Sequence, residues 1–278
     1  MASHKLIYIT ARDNPLLVRL RKLARHPGEY RKLGQVLLEG EHLCRAWAER
    51  GGTLALHAVL TESAWQEGRF PALAEAAAAT VIVPESAMAD LSTLETPAPI
   101  AFVVPLPAQP SIQADAPSVV LDRIQDAGNV GAILRSAAAF GFDQVIALQG
   151  TASLWSPKVL RAGMGAHFGL RLIEGASVEG LAALTIPLLG TSSHAVDALP
   201  SAALPWPSAW AFGNEGAGAS AAVDARCALF VRIPQPGGQE SLNVAAAAAV
   251  CLYEAVRRRP AGATTRDNGA MPRPPNPP

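Results

Sequence analysis

Residues 121–137 read LDRIQDAGNVGAILRSA. The spacing predicts a strand over 119–122, a glycine-containing turn, and a helix over 129–140. Asp126 or Asn129 can cap that helix, and Gly128 and Gly131 let the backbone approach a neighbour or a ligand closely. Arg135 lies among Ile133, Leu134 and the alanines at 137–139, where a guanidinium needs a partner. It is either paired with an acid such as Asp122 or Asp126, or aimed at a phosphate or a reacting hydroxyl.

Downstream, the same alternation continues. Strands are expected at 144–148, 170–173, 187–190, 210–212 and 229–233, and helices at 156–163 and 242–258. Alternating strands and helices argue for a largely parallel sheet covered on both faces. Two polar, glycine-rich segments punctuate this series. FGNEGAG occupies 212–218, at the end of a strand, where open α/β sheets bind ligands; it is also an ordinary turn with a capping Asn. The third segment runs from Arg232-Ile233-Pro234 through Gly237-Gly238-Gln239-Glu240 to Ser241-Leu242-Asn243. There Ser241 is expected to cap the closing helix, whose N-terminal N–H groups point outward. Neither glycine segment is a GxGxxG after the first strand, so a nucleotide-cofactor oxidoreductase is discounted.

Upstream, residues 105–117 carry four prolines and read as a linker. Before it lies a smaller α/β domain, residues 1–104. Its strands are expected at 36–38, 54–60, 80–83 and 100–104, and its helices at 41–50, 63–78 and 86–91. Its first 35 residues are a basic arm with eight Lys or Arg against two acids. Within the arm, Asp13-Asn14-Pro15 starts a helix. Arg19, Arg21, Lys22 and Arg25 are either a solvated face of that helix or a phosphate-contacting surface. Residues 118–259 form the second domain, and the proline-rich residues 260–278 are expected to be a disordered tail.

The chain has 278 residues and a formal net charge of zero, with half its residues hydrophobic and 17% charged. That excludes a disordered polyelectrolyte and a wholly basic nucleic-acid coat. The zero conceals a dipole, since the arm carries a net +6 and the remainder −6. Contact with any polyanion should therefore be confined to the arm and the Arg135 surface. Cys44, Cys227 and Cys251 are scattered and form neither a disulfide framework nor a metal-ligand spacing. No signal peptide or membrane-spanning run is read, so the expectation is a cytoplasmic protein with no membrane and no metal.

Taken together and in order, AGNVGAILRSA, FGNEGAG and IPQPGGQESLNVAAAAAV resemble the SpoU (TrmH-like) family of RNA 2′-O-ribose methyltransferases over about residues 117–258. The arm and small α/β domain, with Leu38-Glu39-Gly40-Glu41, look like that family's N-terminal RNA-substrate-binding domain. The resemblance implies a C-terminal SPOUT-type α/β knot, a trefoil-knotted parallel sheet, which topology rules alone would not suggest. It also implies a homodimer, S-adenosylmethionine as methyl donor, and RNA as substrate, ribosomal RNA ahead of transfer RNA.

By motif match, Asn129, Arg135, Glu215, Ser241 and Asn243 take the catalytic positions, with Arg135 serving the ribose hydroxyl. Thr191, Gly213, Asn214, Gly216, Ile233, Pro234 and Leu242 take the donor-binding positions. A transfer-RNA ribose methyltransferase, or a non-catalytic RNA-binding assembly factor on the same fold, are the alternatives; the intact second and third motifs speak against the latter.

Overall fold

The computed structural model describes residues 5–51, 53–237 and 241–260. In chain order the first domain runs β1 (Lys5–Tyr8), α1 (Pro15–Arg25), α2 (Glu29–Leu33), β2 (Gln35–Glu39), α3 (Glu41–Arg50) and β3 (His57–Thr61). It continues with α4 (Glu62–Gln66), α5 (Pro71–Glu75), β4 (Ala79–Val83), α6 (Glu85–Leu91) and β5 (Ile100–Pro105). The strands form a five-stranded sheet in the order β1-β4-β3-β5-β2, in which β5 runs antiparallel to β3 and β2.

Three local expectations are corrected here. The basic arm is no appendage: β1 pairs with β4, and α1 buries Leu17, Leu20, Leu23 and Ala24 in the domain core. The helix within it is as expected, with Asn14 accepting from the Leu16 N–H and Pro15 in the first turn. The helix expected over 63–78 is two short helices, because Pro71 forces Phe70 out of the helical region (φ −134°) and starts α5 afresh. The strand expected from residue 54 begins at His57.

The second domain comprises β6 (Ser118–Asp122), α7 (Ala127–Ala139), β7 (Gln144–Leu148), α8 (Pro157–Gly163), β8 (Arg171–Ala176) and β9 (Leu188–Thr191). It closes with β10 (Asp197–Ala198), β11 (Ala209–Gly213), α9 (Ala221–Asp224), β12 (Leu229–Arg232) and α10 (Val244–Arg257). Its seven strands are all parallel, in the order β10-β12-β9-β11-β6-β7-β8. Such a sheet is buried on both faces, and β6, β7 and most of β11 are buried throughout. Gly131 serves a neighbouring helix: a Cβ there would lie 2.3 Å from Ala162 Cβ, so its absence lets α7 press onto α8. The expected tail lies outside the described residues, apart from Pro260.

The two domains share one hydrophobic core, and the proline-rich segment is a strap across them. Leu106 N–H bonds the Gly34 carbonyl, Gln109 bonds both backbone groups of Glu174, and Gln113 bonds the Gln144 side chain. Beneath the strap, the Glu174 carboxylate accepts from Tyr30 O–H at 2.7 Å, from Leu154 N–H at 2.6 Å and from Arg31 at 3.1 Å. Burial and the Glu174 charge push the Tyr30 phenol above its usual range, so it stays a donor. Trp47 of α3 meets Phe168 edge-on, with ring centroids 5.4 Å apart. Arg161 of α8 reaches Glu39 of β2 at 3.6 Å.

His167 is fully buried in this junction, with Nε2 2.9 Å from the Leu154 carbonyl. Burial pulls its pKa down to about 4, so the folded ring is neutral and Nε2–H is the donor.

Two outcomes follow. Glu174→Ala strands the Tyr30 hydroxyl and the Leu154 N–H, and should lower the free energy of urea unfolding by about 3 kcal/mol, against about 1 for Tyr30→Phe. Acidification should destabilise the protein as pH falls from about 6.5 toward 4, because the unfolded chain binds a proton at residue 167 that the folded one refuses. At pH 5 that cost is about 2 kcal/mol, and His167→Gln should remove it from the pH dependence of urea midpoints.

Candidate active site

In a parallel sheet all strands point their C-terminal ends to one edge. Here β6, β9, β11 and β12 lie side by side in the sheet, and their C-terminal ends carry Asp122, Thr191, Gly213 and Arg232. Most of the residues singled out by motif lie at these ends or in the loops that follow, while Asn129 and Arg135 lie in the helix after β6, α7.

The choice of cap settles what Asn129 does. Asp126 Oδ1 accepts from the Asn129 N–H at 2.7 Å, so Asp126 caps α7 and the Asn129 side chain is free for other work. Its Nδ2 donates to Glu215 Oε1 at 3.0 Å, and its Oδ1 accepts from Asn243 Nδ2 at 2.9 Å. One residue from each motif thus joins a single hydrogen-bonded chain, Glu215–Asn129–Asn243. Burial raises the Glu215 pKa, but the Asn129 amide and backbone N–H groups outweigh this and hold it below the usual carboxylate range. Glu215 is therefore an ionised acceptor at neutral pH.

Asn243 also corrects the expected cap of the last helix. Its Oδ1 accepts from Ala245 N–H at 2.9 Å and Ala246 N–H at 3.2 Å, so α10 starts at Val244 and Asn243 is the cap. Ser241 and Leu242 lie exposed ahead of it, and Ser241 makes no hydrogen bond among the described residues. Asn243 holds two stabilising roles with one amide, its oxygen on the helix and its nitrogen on Asn129.

Asn214 builds the second loop. Its Oδ1 accepts from the N–H groups of Gly216 and Ala217, and its Nδ2 donates to the Arg123 carbonyl at 3.1 Å. Gly213 has no room for a side chain, since a Cβ there would lie 2.0 Å from Ala219 N. Thr191 pairs with Val231, and Ile233-Pro234 leave β12 beside it.

Three further residues shape this edge without any motif signal. Arg123 adopts the left-handed conformation, φ 59°, which is strained for a side chain of its size. It is clamped there by Asn214 and by Thr151, whose hydroxyl accepts its N–H at 3.1 Å and donates to the Leu121 carbonyl at 2.9 Å. The buried Asp122 carboxylate pairs with Arg123 Nε at 3.1 Å and accepts the Ser220 N–H at 2.5 Å. Only Asp122, a charge ending an apolar run, left a trace in the sequence.

Arg135 is not part of the Asn129 chain. Six residues on from Asn129, it is displaced about 9 Å along α7 and about two thirds of a turn around it. It is exposed and, among the described residues, has no hydrogen bond or ion pair, with Asp122 and Asp126 otherwise engaged. It faces an open cleft of about 360 Å³ beside α3. Arg12, just ahead of α1, and Arg21 on it pair with the Asp90 carboxylate, and Arg25 of α1 donates to the Asp90 carbonyl. Arg19 is half-buried, and Lys22 alone of the expected RNA-contacting four is exposed and free among the described residues.

Residues 116–253 match the model of the SpoU rRNA Methylase family. The 23S rRNA (guanosine(2553)-2′-O)-methyltransferase RlmP of Bacillus subtilis is 32% identical over 230 residues, covering 81% of this chain and 90% of that protein. The chain belongs to the SpoU rRNA methylase family. By that membership it is an RNA methyltransferase.

Among solved structures, an RNA 2′-O ribose methyltransferase superposes with a TM-score of 0.74 at 30% identity, covering 90% of this chain and 98% of that one. The SpoU methyltransferase AviRb from Streptomyces viridochromogenes, solved with its cofactor AdoMet, superposes with a TM-score of 0.73 at 28% identity, covering 88% and 98%. These matches span both domains, so the first domain belongs to the shared architecture. Among the described residues no group of His, Cys, Asp or Glu is gathered to hold a metal, and no helix is long and apolar enough to cross a membrane.

The capping geometry makes a sharp distinction within the third SpoU motif. Asn243→Ala should cost about 1 kcal/mol in urea unfolding through the lost cap. Ser241→Ala should stay within about 0.5 kcal/mol of the parent. Equal losses would show that the cap is misassigned.

Proposed function

We propose that this SpoU protein transfers a methyl group from S-adenosylmethionine to a ribose 2′-OH of ribosomal RNA. The observation that carries the reading is the Glu215–Asn129–Asn243 chain, which joins the three motifs at the ligand-binding edge of the sheet. S-adenosylmethionine supplies an electrophilic methyl group on a positively charged sulfur. The residues to hold it are Thr191, Gly213, Asn214, Gly216, Ile233, Pro234 and Leu242, on the loops after β9, β11 and β12. One buried group there fits a ligand that carries N–H donors: Gln235 Oε1, next to Pro234, accepts no hydrogen bond among the described residues.

Much of the catalysis in such a transfer is orientation of the hydroxyl against the methyl carbon. Asn129 and Asn243 are held at the motif edge by their mutual bond and by Glu215, which remains ionised. Ser241 presents a free hydroxyl beside them. The Arg135 guanidinium offers N–H donors and no acceptor, so it does not take the role of base. Its role is to hold the ribose hydroxyl and the adjoining phosphate in place and to stabilise developing negative charge.

The enzyme acts as a homodimer paired through α7 and α10. Supporting this, α10 exposes Val250 and Tyr253, Tyr253 lies edge-on to Phe140 just past α7 at 5.8 Å, and Arg135 stands apart from the Asn129 chain of its own subunit. The second domain is knotted, its C-terminal segment threading a loop; the insertion of β11 between β9 and β6 is the strand order that supports it. The site of action is the cytoplasm, in keeping with three free thiols, two of which burial pushes up to about 12.

Arg135→Ala should leave S-adenosylmethionine binding by isothermal titration unchanged, since the side chain touches none of the donor loops. Transfer of labelled methyl to unmodified 23S rRNA transcript should fall by at least about 100-fold. Turnover close to the parent's would remove Arg135 from the mechanism.

A further inference from the structure

Three open cavities run end to end along the junction of the two domains. The first, of about 360 Å³, lies between α3 and the turn after α8 and holds Arg135, His42 and Arg50. The second, of about 340 Å³, shares Arg50 with the first and passes Phe168 to reach Arg171. The third, of about 470 Å³, shares Arg31, Gln109 and Glu174 with the second. It ends on the loop of residues 149–153, beyond the C-terminal end of β7. Thr151 of that loop holds the Arg123 N–H, and Gly150 faces the Arg123 side chain. One groove therefore connects Arg135 to the strained Arg123 edge of the active site.

The charges along it differ from those on α1. Arg45 is engaged by Glu41 at 2.6 Å and Arg31 by Glu174 at 3.1 Å. Arg50, Arg135 and Arg171 have no carboxylate partner among the described residues, and all three are exposed. Glu174 also lines the groove but is already shared among Tyr30, Arg31 and Leu154. Glu49 is the remaining acid at its first cavity. Between the arginines the surface is apolar: Phe168 is half-buried, and Met164 is 46% exposed in a left-handed conformation at φ 48°. Spaced cations with apolar and aromatic surface between them suit the backbone and unstacked bases of a single strand.

We propose that this junction groove, rather than the face of α1, is the path of the single-stranded RNA flanking the methylated nucleotide. The inference rests on the ribosomal RNA methyltransferase reading and adds to it a route and residues. The first domain then acts on substrate through α3, whose Arg50 stands at the meeting of two cavities. Arg171 marks the far wall, contributed by the catalytic domain.

The test is filter binding of unmodified 23S rRNA transcript over a range of KCl concentrations, comparing the parent with Arg50→Ala/Arg171→Ala. Among the described residues neither side chain makes an ion pair, and Arg171 only donates to the Ser111 carbonyl at 3.3 Å; retention of S-adenosylmethionine binding reports that the double variant is folded. The expected result is about tenfold weaker binding, with a log–log salt slope shallower by about 1.4, or about 0.7 per lost phosphate contact on a single strand. Arg50→Glu/Arg171→Glu should weaken binding further. Unchanged affinity and slope would overturn the proposal. So would a loss seen in Lys22→Ala/Arg25→Ala but not in the groove variants, which would place the RNA on α1. A parent that binds the transcript through the groove yet transfers no labelled methyl sinks the methyltransferase reading and leaves the groove standing. A parent that does not bind it at all overturns both.

Discussion

A single carboxylate, Glu174, decides how the two halves of this protein meet. It sits almost out of solvent on β8, where an unpaired negative charge costs several kcal/mol. It is tolerated because a phenol, a backbone N–H and a guanidinium converge on it from three directions. The phenol and the guanidinium belong to α2 of the first domain, and the N–H to the loop after β7 of the second. The carboxylate can be satisfied only when the first domain is seated on the edge of the parallel sheet. Aromatic packing of Trp47, Phe168 and Trp155 then extends the seat, and neutral His167 completes it.

With the domains seated, the active edge is built from short polar side chains that do two things at once. Asn129 is released for the site because Asp126 does the capping. Asn243 caps with its oxygen and reaches Asn129 with its nitrogen. Asn214 closes its own turn and restrains Arg123. Each of these amides gains stability from local backbone bonds, and that stability fixes the geometry presented to a ligand. The pattern explains how the three motifs depend on one another: removing Asn129 takes this partner from both Glu215 and Asn243, and removing either end frees one half of the Asn129 amide.

Much of this was legible in the chain. The parallel strands of the second domain were visible as apolar runs because both faces of the sheet are buried, and the three polar segments fell at their C-terminal ends. Less visible were features set by distant partners. Lys5–Tyr8 was read as part of a charged arm because an edge strand of four residues carries too little pattern to stand out. Ser241 looked like a cap, but Asn243 lies closer to the first apolar turn and also has Asn129 to bond. The basic face of α1 looked free because Asp90, nearly seventy residues away, gives no local sign that it pairs there. Glu174, Thr151 and His167 drew no notice for the same reason, since their roles exist only once the domains are together.

The continuity of the core across the strap bears on how the molecule comes apart. Two domains tied by a flexible linker lose structure in two steps, each with its own midpoint. Here the apolar surface of α8 is covered by α1 and β2, and Trp155 packs against residues that face the other domain. Neither half has a complete interior alone, so residue 117 is a boundary in the chain's layout but not in its cooperativity. Loss of one half would expose the other, so the two domains are expected to unfold as a single thermodynamic unit.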